Sequence, residues 1–132
     1  MPDSSPRYDM GMQTRRKVLG ARYVDAAQAN TTSFNAEFQT LITETAWGSV
    51  WSRETISLRE RSMLTIALLA AFGHHDELAM HVRATRNTGA SLDDIKEALL
   101  HVAIYAGVPA ANHAFKIAAE AYGPAPKEDN HA

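Results

Sequence analysis

The stretch that decides the fold is residues 57–89, SLRERSMLTIALLAAFGHHDELAMHVRATRNTG. Ser57 is a suitable N-cap for a helix that ends at Phe72. The second half of this helix is apolar nearly all round, which predicts a central place in the core. Gly73 predicts a turn, and residues 75–88 predict the next helix, which stops at the final glycine. No segment shows the sustained period-two alternation of a strand.

The sequence before this stretch continues the helical pattern. Residues 34–45 predict an amphipathic helix capped by Thr32 or Ser33, and Gly48 is expected to break it. An earlier helix is predicted to stop at Gly20. The residues that lie at helical spacing along one side of it are Tyr8, Met12, Arg15 and Leu19.

The sequence after this stretch predicts two further helices. Ser91 and Asp94 resemble a capping box at the start of the first, and Pro109 is well placed to begin the second. We therefore predict an all-α bundle of about six helices with short connections. One domain is expected over residues 7–122, with flexible termini at residues 1–6 and 123–132.

Composition excludes several classes of function. The 132 residues carry a formal net charge of -2 and contain no cysteine. Disulfides, thiolate zinc sites and thiol redox chemistry are therefore excluded, and nothing indicates a nucleic-acid or membrane partner. The first 20 residues show no continuous apolar segment of a secretory signal, so a cytoplasmic location is expected. No Gly-rich phosphate loop or nucleotide fingerprint is present, so no organic cofactor is indicated.

Two polar residues interrupt the apolar side of the helix predicted at residues 75–88. At about 100° per residue, Glu77 and His81 fall one turn apart on the side opposite Arg83 and Arg86. Buried together, the pair would perturb both protonation equilibria, as acid–base chemistry requires. A hydrogen-bonded structural pair is the alternative. A metal site with His74 as a further ligand is a third interpretation, although the spacing matches no established metal motif.

At this point the sequence resembles the carboxymuconolactone decarboxylase family, which has an alkylhydroperoxidase D-like fold. The resemblance covers nearly everything from Arg7 to Tyr122. Its N-terminal blocks resemble the branch that acts on gamma-carboxymuconolactone. The segments that carry the family resemblance are residues 61–67, 77–84, 95–97 and 103–112, and those that carry the branch resemblance are residues 7–12, 15–20, 34–39 and 46–48.

The related alkylhydroperoxidase D branch carries two cysteines and a histidine on the helix that holds His81. When the histidines are matched, the cysteine positions are occupied by His74 and Glu77, so the peroxidase chemistry is excluded. That branch also uses a glutamate on the preceding helix, where this sequence has Ser62. Only His81 therefore keeps a counterpart in that branch.

The resemblance implies a carboxy-lyase of the beta-ketoadipate pathway of protocatechuate catabolism. It would convert gamma-carboxymuconolactone into 3-oxoadipate enol-lactone and CO2 without a cofactor. We expect His81 to act as general acid or oxyanion donor, with Glu77 tuning it or carrying the proton itself. The candidate substrate-binding residues are two carboxylate anchors, Arg15 and Arg61, and two hydrogen-bond donors, Tyr105 and Asn112.

Two rival interpretations stay open. One is another cofactor-free enzyme on the same fold that acts on a different carboxylated lactone. The other is a non-catalytic protein that binds a small ligand or a metal. The resemblance also implies a homo-oligomer, with a trimer-based hexamer as the expected form.

Overall fold

The computed structural model describes residues 4–123, and every regular element in that range is helical, which confirms the all-α prediction. Residues 4–123 contain seven α-helices, where about six were predicted. In chain order they are α1 Pro6–Leu19, α2 Ala21–Ala29, α3 Ala36–Ile42, α4 Leu58–Phe72, α5 His75–Thr88, α6 Leu92–Tyr105 and α7 Val108–Tyr122, with a π-helix at Thr43–Trp51 that continues α3.

The chain divides into two compact units, the first ending at Leu58 and the second beginning at Arg59. Of the termini predicted to be flexible, residues 1–3 and 124–132 lie outside the described residues. Ser5 already caps α1, because its side chain accepts a hydrogen bond from the backbone N–H of Tyr8 at 3.0 Å.

In the first unit, α1 and the π-helix approach each other through two glycines. A Cβ on Gly11 would lie 2.0 Å from the carbonyl oxygen of Thr43, and one on Gly48 would lie 2.5 Å from that of Arg7. Both distances are far below van der Waals contact, so only glycine allows the two backbones to come this close. Thr43, Trp47 and Trp51 are four residues apart in the sequence, and the wider π-helical turn keeps all three on the buried side.

Two predictions for this unit were wrong, and one helix was missed. Gly48 does not end a helix, because it lies inside the π-helix that continues to Trp51. The α3 helix begins after Asn35, not at Thr32 or Ser33. The short α2 helix was not predicted, since Val24 is its one buried residue and so it has no apolar stripe.

The core of the second unit is built from all four of its helices. Ile66 of α4, Leu78 of α5 and Leu99 of α6 have no or almost no exposed surface. The small side chains of α7 let it pack closely against them. The remaining members of this core are Ala70, Val82, Ile95, Val102, Ala111, Ala114 and Ala118.

Local signals fix the ends of these helices as the sequence predicted. Ser91 and Asp94 form a reciprocal capping box at the start of α6, with backbone–side-chain distances of 2.9 and 3.0 Å. Asp94 also pairs through both oxygens with Arg59 of α4 at 2.7 and 2.8 Å. This pairing holds the pKa of Asp94 well below its usual range. Pro109 lies in the first turn of α7, which confirms its predicted place.

Some large apolar side chains stay exposed in the single chain. On α4, Leu64, Leu68 and Phe72 are 57%, 57% and 70% exposed at four-residue spacing. On α6, Ile104 is 76% exposed. No helix within residues 4–123 combines the length and the apolar character needed to cross a membrane.

Gly11→Ala should destabilise the protein. Glycine to alanine within a helix normally stabilises by about 0.5–1 kcal/mol. Here the added methyl group meets backbone, so we expect a loss of about 2 kcal/mol in the free energy of unfolding. Urea denaturation measures this, with Gln13→Ala at an exposed position of α1 as the control. An unchanged or increased stability of Gly11→Ala would contradict the close approach.

Candidate active site

The α5 helix carries one imidazole into the interior of the second unit. His81 is 7% exposed and lies on the same side as the buried residues Leu78, Val82 and Thr85. Arg83, on the other side of the helix, is exposed, as the sequence periodicity predicted. An amphipathic helix therefore delivers a titratable group to a position from which water is largely excluded.

Burial determines the charge of His81. Removal from water lowers the pKa of His81 to about 4, and the nearby carboxylate of Glu77 raises it against that effect. The imidazole is therefore neutral at physiological pH. A neutral imidazole has one N–H donor and one acceptor nitrogen, so it can hydrogen-bond a developing oxyanion without bringing a full positive charge.

Glu77 is exposed, and its predicted place on the buried side of α5 was wrong. It lies in the first turn of the helix, where an acidic side chain is favoured by the helix dipole and keeps its hydration. Glu77 lies near enough to His81 for its charge to raise the pKa of that residue. Helical periodicity could not predict its exposure, because exposure depends on which other elements cover the first turn. The pair therefore consists of a buried imidazole and a solvated carboxylate.

The remaining predicted site residues of this unit are spread over three helices. Arg61 is half-buried on α4, Tyr105 is 84% exposed at the end of α6, and Asn112 is exposed on α7. The ring of Tyr105 stacks on that of His101, with centroids 6.2 Å apart. Their assignment to substrate binding stays a prediction.

Arg15 belongs to the first unit and is 5% exposed on α1. Its guanidinium donates from Nη1 to Thr43 Oγ1 and from Nη2 to Gln39 Oε1, both at 3.3 Å. Sequence reasoning missed these two partners. The available signal was the four-residue spacing that links Gln39 and Thr43 to the tryptophans at positions 47 and 51. The π-helix that places these residues on one side cannot be recognised from the sequence.

Two further expectations concern α4 and α5. Ser62, at the position of the relay glutamate in the alkylhydroperoxidase D branch, is buried and hydrogen-bonds Thr88 at 2.7 Å between hydroxyl oxygens. It therefore joins the two helices. His74 is exposed, and within residues 4–123 no three His, Cys, Asp or Glu side chains are grouped to hold a metal ion. The metal interpretation gains no support from these residues.

Comparison with known proteins adds to this geometry. The carboxymuconolactone decarboxylase family matches residues 36–120. The chain belongs to this family. It is 44% identical over 127 residues to a 4-carboxymuconolactone decarboxylase of Acinetobacter baylyi. The aligned region covers 94% of this chain and 95% of the relative.

Two other relatives are also similar to this chain. A nitrosuccinic acid decarboxylase of Metarhizium robertsii is 42% identical over 102 residues, covering 77% of this chain and 71% of the relative. A 4-carboxymuconolactone decarboxylase of Pseudomonas putida is 50% identical over 46 residues, covering 35% of this chain and 96% of that sequence. All three relatives are named as decarboxylases.

The depressed pKa of His81 predicts a loss of stability in mild acid. The unfolded chain takes up a proton on this residue near pH 6.5, whereas the folded chain does so only near pH 4. Stability from this group is therefore complete above pH 6.5 and is lost as the pH falls towards 4. At pH 5 the loss is about 2 kcal/mol.

Urea unfolding at pH 5 and pH 8 measures this effect. His81→Leu has no imidazole to titrate, so the difference in its stability between the two pH values should be smaller than that of the unmodified protein by about 2 kcal/mol. Equal pH dependence in the two proteins would show that His81 titrates normally in the folded state.

Proposed function

We propose that this protein is a carboxy-lyase that converts 4-carboxymuconolactone into 3-oxoadipate enol-lactone and CO2 in the protocatechuate branch of the beta-ketoadipate pathway. The observation that carries this proposal is the 44% identity with the Acinetobacter decarboxylase over nearly the full length of both chains. The buried neutral imidazole of His81 supports it, because a hydrogen-bond donor shielded from water can stabilise the anion that forms when CO2 leaves.

The chemistry of the substrate explains why no cofactor is required. The departing carboxylate is attached to a ring carbon that is conjugated, through the ring double bond, with the lactone carbonyl. When the C–C bond breaks, CO2 leaves and the electron pair moves through the ring onto the carbonyl oxygen, forming a dienolate. A proton is then added at the carbon next to the carbonyl, which gives the enol-lactone.

We assign to His81 the stabilisation of the dienolate oxygen. A hydrogen-bond donor aimed at a developing oxyanion lowers the barrier most in a site of low polarity, where water does not compete. His81 is 7% exposed, and its pKa of about 4 makes it a neutral donor at pH 7. A neutral imidazole is a weak acid, so this role suits His81 better than proton delivery does.

We assign proton delivery to Glu77. The proton that replaces CO2 on the ring comes from solvent in each turnover and passes through the carboxyl group of Glu77, which is exposed in the first turn of α5. Glu77 lies one turn from His81, close enough for its charge to raise the pKa of that imidazole. A carboxylic acid can protonate a carbanionic centre that it reaches directly.

The substrate carries two carboxylates, and one must be held while the other leaves. Arg15 and Arg61 are the proposed anchors, because a guanidinium binds a carboxylate through two parallel hydrogen bonds. Tyr105 and Asn112 are proposed as donors to the lactone oxygens. Remote binding of this kind places the leaving group where water is scarce.

A nitrosuccinate-like acid is a second candidate substrate, favoured by the 42% identity with the Metarhizium relative. Nitrosuccinate also has two carboxylates, and a nitro group can accept the electron pair that CO2 leaves behind. The same neutral donor and the same anchors would serve both reactions. Parallel assays with the two acids decide between them.

We also propose that the protein is a cytoplasmic homo-oligomer, with a trimer-based hexamer as the expected form. The exposed side chains of Leu64, Leu68 and Phe72 support association, because contiguous apolar surface of this kind is typical of subunit interfaces. Sedimentation equilibrium measures the assembly directly.

His81→Leu should lower kcat/KM for 4-carboxymuconolactone by about 100-fold or more, since it removes the oxyanion donor. The leucine fills the buried position without a polar group to desolvate, so the variant should stay folded. Glu77→Gln should also lose about 100-fold, mainly in kcat, because it cannot deliver a proton. Disappearance of the lactone measures both.

Arg83→Gln is the matched control, because Arg83 is exposed on the other side of the same helix. It should keep full activity. Activity should also survive treatment with a chelator, whereas the metal-binding alternative predicts bound metal and no turnover. If a folded His81→Leu or Glu77→Gln variant kept a kcat/KM near that of the unmodified protein, the role assigned to that residue would be wrong.

A further inference from the structure

Arg15 is a buried cation whose hydrogen-bond partners are all uncharged. Its side chain bonds the hydroxyl of Thr43 and the amide oxygen of Gln39. Among residues 4–123, no carboxylate lies within ion-pair distance of it, and its Nε has no hydrogen-bond partner. Burial lowers the pKa of Arg15, with smaller opposing effects from Tyr23 and Tyr8.

Other arginines of the described chain are satisfied differently. Arg16, the next residue, forms an ion pair with Asp25, and Arg59 forms a two-oxygen pair with Asp94. Both of these pairs are at the surface, where the charge is hydrated anyway. The buried guanidinium of Arg15 is the one that most needs an anion, since an uncompensated internal charge costs several kcal/mol.

The two partners hold the guanidinium in a defined orientation. The Thr43 hydroxyl donates its proton to the backbone carbonyl of Gln39 at 2.7 Å, so its oxygen is left to accept from Arg15. Thr43 is 1% exposed and begins the π-helix. Because Gly11 and Gly48 allow α1 to lie against that helix, Arg15 on α1 meets both acceptors.

We propose that Gln39 and Thr43 are positioning residues that hold Arg15 through uncharged oxygens and so keep its positive charge for a carboxylate of the substrate. This inference rests on the proposed function, and it adds two residues that determine specificity for a dicarboxylate. Nη1 and Nη2 each use one N–H on these partners, and each keeps a second N–H that can donate to the ligand. A carboxylate at position 39 would take the place of the substrate anion.

Gln39→Glu tests this proposal with almost no change in shape. The new carboxylate would lie about 3.3 Å from Nη2, the present Gln39–Arg15 distance, and would neutralise the guanidinium internally. We expect the melting temperature to stay equal or rise. We expect KM for the lactone to rise about tenfold or more, equivalent to about 1.4 kcal/mol of binding, with a smaller change in kcat.

Thr40→Glu is the matched control, because it adds the same charge to the same helix at an exposed position. Its KM should stay within about twofold of the unmodified value, a change of about 0.4 kcal/mol. A merely structural role for Gln39 predicts an unchanged KM in Gln39→Glu, whether or not the melting temperature changes. That result would overturn the proposal.

Binding of adipate, an unreactive dicarboxylate, separates this proposal from the proposed function. Isothermal titration calorimetry should detect adipate binding to the unmodified protein and a loss of about tenfold or more in Gln39→Glu. If the protein binds adipate in this pattern but does not consume the lactone, the proposed function fails and the anion site stands. Equal adipate affinity in both proteins, or no binding to either, would overturn the site.

Discussion

The second unit depends on burial of the inner side of α5. Leu78 and Val82 have no exposed surface, and each fully buried aliphatic side chain of this size stabilises the fold by about 1.5–3 kcal/mol. His81 lies on the same side, so it is carried into the interior by its neighbours. Burial in that place raises the free energy of the charged imidazole more than that of the neutral one. Its protonation state is therefore a consequence of how the helix packs.

This constraint also explains the division of labour proposed for the reaction. A buried neutral imidazole is suited to hydrogen-bond an oxyanion but exchanges protons with water poorly. Glu77, one turn earlier, is solvated and can be reprotonated. In the proposed mechanism the helix thus presents a fixed hydrogen-bond donor and an acid that solvent can reprotonate, one turn apart.

Much of the fold could be predicted because helix ends are set by local chemistry. Gly73, the Ser91–Asp94 capping box and Pro109 act through their own backbone and nearest neighbours, so α4 to α7 were predicted closely. The π-helix could not be predicted, since its wider turn is stabilised by packing against α1 through Gly11. Gly48 was interpreted as a helix break because its close approach to the backbone of α1 cannot be seen in the sequence.

The candidate site could be predicted only in part. Periodicity identified His81 as inward-facing, because a central position on an amphipathic helix is covered whatever the neighbours are. It placed Glu77 on the same side but could not show that the first turn of α5 is left open to solvent. Gln39 was missed as a partner of Arg15, since that hydrogen bond joins residues 24 positions apart.

The most direct test of this account is the ionisation of His81 itself. Its ring nitrogens can be followed by ¹⁵N NMR between pH 3.5 and pH 8, and its signals identified by their absence from His81→Leu. We predict a neutral imidazole down to pH 5 and a midpoint near the pKa of about 4. A midpoint at or above 6.5, the ordinary value, would mean that His81 is not a neutral buried donor, and the assigned mechanism would be wrong.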